Sequence, residues 1–111
     1  MNEYINNQTY ISSGDMSGDV TGGSIDAARM SKVSATCVNT SGSSPDGTIY
    51  IQTSNDGTTW VNSGIGTGSA AINAAETNVL YQDLYERYVR IFYDRTSGSA
   101  SLNVAITLKS V

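Results

Sequence analysis

The sequence predicts an all-β fold, a jelly-roll-like antiparallel β-sandwich of about seven to nine short strands in a single domain. Three observations support this prediction. Apolar and polar residues alternate with a period of two in most segments, turn signals rich in glycine separate those segments, and no segment keeps the spacing of an amphipathic helix for long. A length of 111 residues suits one domain with one modest core.

Four segments carry the clearest alternation. Because side chains alternate across a strand, each of these segments is expected to bury one face. In chain order they are SKVSATCV, GTIYIQTS, RYVRIFYD and the run from Leu102 to Leu108. Weaker strand candidates are QTYIS, the stretch around MSGDVTGG, TWVNS and TNVLYQ. The best helical candidates, IDAARMSK and AINAAETN, are too short to be stable alone, and a strand end with a corner, or one helical turn, is favoured for the first.

The first 25 residues are polar and rich in glycine, whereas the rest of the chain has a denser core pattern. We therefore divide the single domain into an N-terminal arm or edge strand over residues 1–25 and a β-sandwich over residues 26–111. Such an arm can complete the sheet of its own chain or add a strand to the sheet of a neighbouring subunit.

The stretch SNDGTTW contains a hairpin signal, because Asn55, Asp56 and Gly57 lie between two strand-like runs. A tight turn needs positive φ at its central positions, which glycine supplies freely and Asn or Asp tolerate. A calcium loop would need several oxygen ligands at close spacing, and only Asn55 and Asp56 are present. We therefore assign these three residues a structural role in a turn.

The residues that usually carry chemistry are scarce. Histidine is absent, which removes the commonest general base and metal ligand, and no serine lies in a nucleophile motif with an activating base. The only cysteine, Cys37, can form no internal disulfide and is expected to pack as a small apolar residue. Capped turns account for Asp15, Asp19 and Asp26 better than metal binding does. We predict no enzymatic activity, no cofactor and no metal.

Charge and hydropathy exclude two classes of partner. Acidic residues outnumber basic ones by ten to six, for a net charge of −4, and acidic residues flank the arginines between Arg87 and Arg95. A nucleic-acid binder needs a clustered positive excess, so we expect no nucleic-acid partner. No apolar run is long enough to span a bilayer, and MNEYINNQTY lacks the features of a signal peptide. We therefore expect no membrane partner and folding in a cytoplasm.

Aromatic residues supply the candidate contact residues, which are Trp60, Tyr81, Tyr85 and Tyr88. Three interpretations remain open for them. They can be core or rim residues with hydrated hydroxyl groups, or members of a protein interface, where tyrosine and arginine are favoured. They can also form a surface on which sugar rings stack.

Two segments, GTIYIQTSNDGTTWV and YVRIFYDRTSGSASLNV, carry a resemblance to a known class of protein. Together with a looser match upstream, they resemble small β-sandwich virion proteins encoded by tailed and other bacteriophages. The element S-N-D-G-x-x-W is also similar to part of discoidin-type sandwiches, which bind sugars or lipids. These motifs consist mostly of turn and core residues, so the resemblance implies a fold and a class of protein but no functional residue.

The resemblance implies a particle component, and the low charge and the polar N-terminal segment agree with it. We expect a bacteriophage virion structural protein, a capsid decoration, cement or minor capsid subunit, assembled in the cytoplasm of the host bacterium. It would contact other capsid or tail subunits and form a homo-oligomer. The alternative is a carbohydrate-binding adhesion module of a tail, fibre or surface protein, in which Trp60 and the tyrosines near residue 85 bind a glycan.

Overall fold

The computed structural model describes residues 5–62, 69–71, 73 and 76–110, with only the backbone described at 5–7 and 69–71. Within these ranges the chain forms ten β-strands and no helix. In chain order the strands are β1 (Ile5–Asp15), β2 (Val20–Thr21), β3 (Ile25–Asp26), β4 (Lys32–Asn39), β5 (Asp46–Ser54), β6 (Val61–Asn62), β7 (Ser69–Ala71), β8 (Thr77–Asp83), β9 (Tyr88–Ser97) and β10 (Ser101–Lys109).

The strands form two antiparallel sheets. Sheet A has the order β1-β10-β4-β8, and sheet B has the order β2-β9-β5-β6, with β3 also paired to β9 and β7 to β5. The short strands β2 and β3 occupy one edge of sheet B, and β6 and β7 occupy the other. Each sheet is therefore four strands wide, and the chain passes repeatedly from one sheet to the other. This is the strand order of a jelly roll, which confirms the predicted fold class.

The core lies between the two sheets and follows from the alternation in the sequence. Every second residue of β4 and of β10 is buried, and the intervening residues face outwards. Cys37 is fully buried, as expected, and burial raises the pKa of its thiol to about 12. The largest fully buried side chains are Tyr93, Met16, Ile49, Ile51, Leu80, Ile91, Leu102, Ile106, Leu108, Val89 and Val104.

The predicted strands correspond closely to the observed ones. The four segments with the clearest alternation are confirmed as β4, β5, β9 and β10, and the weaker candidates QTYIS and TNVLYQ lie in β1 and β8. The segment IDAARMSK starts as β3 and continues into a turn, in which the N–H of Met30 donates to the carbonyl of Ala27 at 2.9 Å. The segment AINAAETN lies partly outside the described residues, and its last two residues begin β8.

The N-terminal segment contributes β1, an edge strand of sheet A that is antiparallel to β10. Its register shifts twice, between Thr9 and Ile11 and between Ile11 and Gly14, and Ser13 has a φ of 61°. Each shift marks a bulge, at which one strand carries extra residues and bends. The domain division at residue 25, and the reach of an arm to a neighbouring subunit, stay predictions.

Tyr10, at the first bulge, ties β1 to the opposite sheet. Its hydroxyl donates to the carbonyl of Gly23 and accepts a hydrogen bond from the N–H of Ile91 at 3.3 Å. The ring occupies the space that a Cβ atom on Gly22 would fill, so this glycine makes the contact possible. The pKa of Tyr10 is raised above its usual value of 10, mainly because its hydroxyl is desolvated. One side of the sandwich is thereby closed by a side chain.

Candidate interaction surfaces

The structure distributes the four predicted contact residues over three places. Trp60 and Tyr88 lie on the outer face of sheet B, and Tyr81 lies on the outer face of sheet A. Tyr85 lies in the loop between β8 and β9, where it is 91% exposed. The four residues therefore form no single cluster, and each outer face has to be considered separately.

A hydrogen-bonded network covers the outer face of sheet B. Gln52 of β5 is paired with Arg90 of β9, and Gln52 Oε1 accepts from Arg90 Nε at 2.7 Å. Gln52 Nε2 donates in turn to Asn62 Oδ1 at 2.6 Å. The guanidinium of Arg90 lies 4.2 Å from the centroid of the Trp60 ring, within the range of a cation–π interaction. We call these four residues the Gln52 network.

The stretch SNDGTTW forms the loop from Ser54 to Trp60, because Thr53 pairs with Val61. This loop is longer than the two-residue turn that an Asp-Gly pair favours in a hairpin. Gly57 has a φ of 79°, in the left-handed region that glycine adopts without strain. The loop thus carries Trp60 back across the sheet to the guanidinium of Arg90.

The side chain of Asp56 organises this loop from within. Its Oδ1 accepts from the N–H groups of Thr59 and Thr58, each at 2.8 Å, and from the hydroxyl of Ser54 at 3.0 Å. These hydrogen bonds, led by that from Thr59, hold the pKa of Asp56 well below its usual range. A carboxylate engaged in this way stabilises the backbone of the loop.

The outer face of sheet A has a different composition. Outward-facing residues of its strands β4, β8 and β10 are uncharged along most of their length, and the charges Lys32, Asp83 and Lys109 lie together at one end. Val79 and Tyr81 are 58% and 54% exposed. We call this surface the uncharged face; its members are Ser34, Thr36, Val38, Thr77, Val79, Tyr81, Asn103, Ala105 and Thr107.

Strand β8 shows an inverted alternation. Leu80 is buried, so Asn78 and Gln82 also point towards the interior, whereas Val79 and Tyr81 point to the uncharged face. Hydrophobic burial alone would favour the opposite arrangement, with Val79 and Tyr81 inside. The strand therefore exposes apolar surface that its neighbours within the described residues do not cover.

Ion pairs contribute little to either surface. Lys32 pairs with Asp83 at 2.9 Å and Arg87 with Asp26 at 3.0 Å, and all four side chains are about half exposed. Exposed pairs of this kind stabilise a protein by about 0–1 kcal/mol. Arg87 therefore forms an exposed ion pair, whereas Arg90 binds the side-chain amide of Gln52.

Of the three aspartates expected to cap turns, Asp15 and Asp26 do so, whereas Asp19 accepts from the N–H of Arg95 at 2.8 Å. Asp15 accepts from the N–H of Ser17 at 2.9 Å, and Asp26 accepts from the N–H of Ala28 at 3.0 Å. Across the described ranges, no group of three or more Cys, Asp or Glu residues is placed to hold a metal ion. None of the described residues belongs to a helix long and apolar enough to cross a membrane.

Comparison with known protein families identifies the family of this chain. A family model described as "Domain of unknown function (DUF6385)" matches residues 26–110. The chain belongs to the DUF6385 family. No curated protein matches the chain. The matched residues include β4, β5, β8, β9 and β10, so the family model covers most of both sheets.

Several solved structures share the fold of this DUF6385 chain. The PBSX exported protein XepA matches with a TM-score of 0.66 and 16% identity, over 96% of this chain and 36% of XepA. The SPBc2 prophage-derived protein YomS matches with a TM-score of 0.63 and 10% identity, over 96% of each chain. The VP2 subviral particle protein of infectious bursal disease virus matches with a TM-score of 0.55 and 14% identity, over 96% of this chain and 32% of VP2. These likenesses show a shared fold.

Sequence reasoning missed the Gln52 network and the inverted alternation of β8. Gln52 and Arg90 are visible as polar residues on strands, but only the register of β5 against β9 brings them together. For β8 the available signal was the pair of amides, Asn78 and Gln82, on either side of Leu80. Deciding which face of that strand is buried requires knowledge of the sheet on which it packs.

Proposed function

We propose that the chain is a structural protein of a bacteriophage particle, a capsid decoration, cement or minor capsid subunit that acts by burying surface against neighbouring subunits. The observation that carries this proposal is the uncharged face of sheet A, on which Val79 and Tyr81 are more than half exposed. Interface cores are depleted of charged residues and enriched in tyrosine, and this face is uncharged and includes Tyr81.

The fold supports the proposal by analogy. XepA is a PBSX exported protein, YomS derives from the SPBc2 prophage, and VP2 forms a subviral particle. A jelly roll presents each outer face on a sheet held by hydrogen bonds, so the face keeps its shape when it meets a neighbour. An assembly subunit needs this property more than it needs a cleft.

The area of the uncharged face indicates how strongly it would bind a neighbouring subunit. Its three strands, each about 4.8 Å wide and seven residues long at about 3.3 Å per residue, cover roughly 330 Å². A stable pair of proteins buries about 800 Å² per partner, so this face alone supports only a weak contact. Copies that also contact one another on a particle would attach stably, because linked contacts raise the effective concentration of each other.

The proposal includes no catalytic step and no cofactor. The sequence has no histidine, and the carboxylates of Asp15, Asp26 and Asp56 are engaged as caps of turns or loops. A contact protein needs only shape and surface chemistry. Detection of a turnover that depends on the purified chain would contradict this part of the proposal.

Co-sedimentation with particles tests the virion role. We expect a tagged chain, produced in its own host during phage production, to sediment with purified particles at a constant ratio. Thr36→Lys, at the centre of the uncharged face, should remove it from the particle fraction, because an ammonium group would have to be desolvated in the contact.

Thr96→Lys provides the matched control, since Thr96 is an exposed threonine near the end of β9. This variant should stay with the particles. Absence of the wild-type chain from every particle fraction would overturn the proposal, as would full retention of Thr36→Lys.

Carbohydrate binding is the second candidate, and the outer face of sheet B favours it. Trp60 is only partly buried and is held in place by Arg90, and Tyr88 lies on the same face. A glycan array with wild type and Trp60→Ala tests this function. Saturable binding that Trp60→Ala abolishes would establish a stacking site, and the absence of binding to any surface polysaccharide would remove this candidate.

A further inference from the structure

Arg90 carries a positive charge on the outer face of sheet B, and no carboxylate neutralises it among the described residues. Neither of the two ion pairs in those ranges involves Arg90, although acidic side chains outnumber basic ones by ten to six in the chain. The residues between β6 and β8 that lie outside the described ranges include no acidic residue. Glu3, the one acidic side chain outside those ranges, precedes β1 of sheet A. Arg90 is therefore available to an anion from outside the chain.

The hydrogen bonds of the Gln52 network all run in one direction. A guanidinium can only donate, so Gln52 Oε1 has to face Arg90, and the amide nitrogen of Gln52 then faces Asn62. Asn62 Oδ1 accepts that bond, which directs Asn62 Nδ2 elsewhere. The donors that have no partner among the described residues are the two terminal nitrogens of Arg90 and Nδ2 of the exposed Asn62. The network thus offers a positive charge and several N–H groups to an anionic acceptor.

Two contacts hold the guanidinium of Arg90 in place. Its Nε donates to Gln52, a side chain that is only 7% exposed, and its plane lies 4.2 Å from the centroid of the Trp60 ring. Neither contact uses the edge formed by the two terminal nitrogens. That edge matches the two oxygens of a carboxylate. A guanidinium that is already fixed loses little side-chain entropy when it binds one.

Aromatic side chains flank Arg90 on the same face. Tyr88 and Phe92 lie two residues before and after it on β9, roughly 7 Å away along the strand, and Tyr50 of β5 pairs with Phe92. All three aromatic side chains are partly exposed. The apolar C–H groups of a sugar ring pack against aromatic side chains. A sugar whose carboxylate binds Arg90 therefore has an aromatic ring beside it on either side.

We propose that the outer face of sheet B binds an acidic polysaccharide, in which a sugar carboxylate pairs with the terminal nitrogens of Arg90. The sugar ring that carries this carboxylate contacts Tyr88 or Phe92, and Nδ2 of Asn62 donates to the carboxylate or to a neighbouring hydroxyl. The inference rests on carbohydrate binding, the second candidate function, and names the class of glycan. The virion role is measured on particles and is independent of it.

The surroundings of Arg90 favour a sugar acid over a carboxylate of a partner protein. Asp and Glu carry their carboxylates on flexible chains, so ordering such a chain costs entropy and covers little of the aromatic surface. In a sugar acid the carboxylate is attached to the ring itself. One rigid unit can then contact both the guanidinium and a flanking aromatic side chain.

A matched pair of polysaccharides tests the requirement for a carboxylate. Polygalacturonate carries one carboxylate on each sugar ring, and its fully methyl-esterified form has the same rings without the charge. In titration calorimetry we expect the wild type to bind at least one of polygalacturonate, alginate and polysialic acid, with an affinity that falls as salt is added. The methyl ester of the same polysaccharide should bind at least about tenfold more weakly. This comparison uses only the wild-type chain, so it does not depend on the folding of a variant.

Two variants that each remove one positive charge locate the site. Arg90→Gln keeps an amide that can donate to Gln52 but loses the charge and the paired terminal nitrogens, and should weaken binding at least about tenfold. Arg29→Gln is the control, because Arg29 is an exposed arginine in the turn after β3. It should bind as tightly as the wild type. Equal losses in the two variants would show that net charge controls binding, and would overturn the proposal.

Gln52→Glu tests the same site while keeping Arg90. The new carboxylate would form an ion pair with Arg90 inside the network and neutralise the charge that a sugar acid needs. Circular dichroism should show that this variant is folded, and its affinity for the acidic polysaccharide should fall at least about tenfold. Wild-type affinity in either Gln52→Glu or Arg90→Gln would contradict the proposal.

The remaining outcomes separate this inference from the proposed functions. Equal binding of an acidic polysaccharide and its methyl ester would leave carbohydrate binding in place and overturn the acidic class. Poly-L-glutamate that binds as tightly per carboxylate as the polysaccharides would identify a protein carboxylate as the partner and would also overturn it. If no polysaccharide binds, charged or neutral, carbohydrate binding and this inference fail together, and the virion role is unaffected.

Discussion

The two edges of sheet A are built in opposite ways. Strand β1 is bulged at two places, contains Ser13 with positive φ, and is tied to sheet B by Tyr10. Strand β8 is regular, and its one ion pair lies at its end. One edge is thus bulged and tied to the opposite sheet by a side chain, while the other keeps a register without shifts against β4. The difference shows that the β1 edge depends on contacts with sheet B, whereas β8 is held by regular pairing with β4.

Closure of the β1 edge depends on residues that are distant in sequence. The bulge between Thr9 and Ile11 accompanies the turn of Tyr10 towards the other sheet, and Gly22 leaves room for its ring. The Tyr10 hydroxyl then satisfies the carbonyl of Gly23 and the N–H of Ile91. Removal of any one of these features should weaken this edge without changing β8.

The largest effect is expected for Gly22→Ala. The added Cβ would overlap the Tyr10 ring, whose hydroxyl is fixed by two hydrogen bonds, so the ring would have to move and lose them. We expect a loss of about 2 kcal/mol in the free energy of unfolding, as for other overpacked sites. Urea denaturation measures it. Gly23→Ala is the control, because nothing lies within 4 Å of the added Cβ, and it should change stability by less than about 0.5 kcal/mol.

Tyr10→Phe should have the next largest effect. It keeps the ring but leaves the N–H of Ile91 without this acceptor, at a cost of about 1–2 kcal/mol. The same urea experiment applies, with Tyr85→Phe as the control, since Tyr85 is almost fully exposed. Equal stability of Tyr10→Phe and wild type would show that the hydroxyl does not close the β1 edge.

Alkaline pH should act on the same edge. The pKa of Tyr10 is raised above 10 in the folded chain, so its hydroxyl ionises at a lower pH in the unfolded chain than in the folded chain. The neutral Tyr10 hydroxyl therefore contributes stability below pH 10, and this contribution is lost as the pH rises through the folded pKa. Urea denaturation at a series of pH values should show a shallower loss for Tyr10→Phe than for wild type. The remaining loss includes Tyr93, whose pKa is also raised, mainly by burial. Parallel pH profiles would contradict this assignment.

The smallest effect is expected at the other edge. Asp83→Asn removes the ion pair with Lys32, in which both side chains are more than half exposed, and should cost less than about 0.5 kcal/mol. Thermal denaturation at low and high salt measures it, and the wild type should approach the variant as salt increases. A cost above about 1 kcal/mol would mean that this pair protects the end of β8 after all.

Much of the fold could be predicted because most strands bury their apolar face. In β4 and β10 the alternation of apolar and polar residues is regular, and the buried residues are those that the pattern indicates. The fold class followed from the number of such segments and the turns between them. The assignment of Asn55, Asp56 and Gly57 to a structural turn stays a prediction, although the structure shows Asp56 bonded to its own loop.

The candidate surfaces could be predicted only in part, because they depend on pairing between distant residues. Trp60 and Tyr81 are visible as aromatic residues, but nothing local indicates that one contacts Arg90 and that the other lies on the opposite sheet. In β8 the local pattern favours burial of Val79 and Tyr81, and the structure buries Leu80 instead. Packing against β4 and sheet B outweighs the preference of the isolated strand.

The strand order of sheet A has a consequence for biosynthesis. Strand β10 lies between β1 and β4, and Ile5 pairs with Lys109, so the first strand made has no docking site until the last one leaves the ribosome. Contacts of such high sequence separation are slow to form. During translation β1 therefore has no partner strand in sheet A until β10 has been synthesised, and sheet A can be completed only after that.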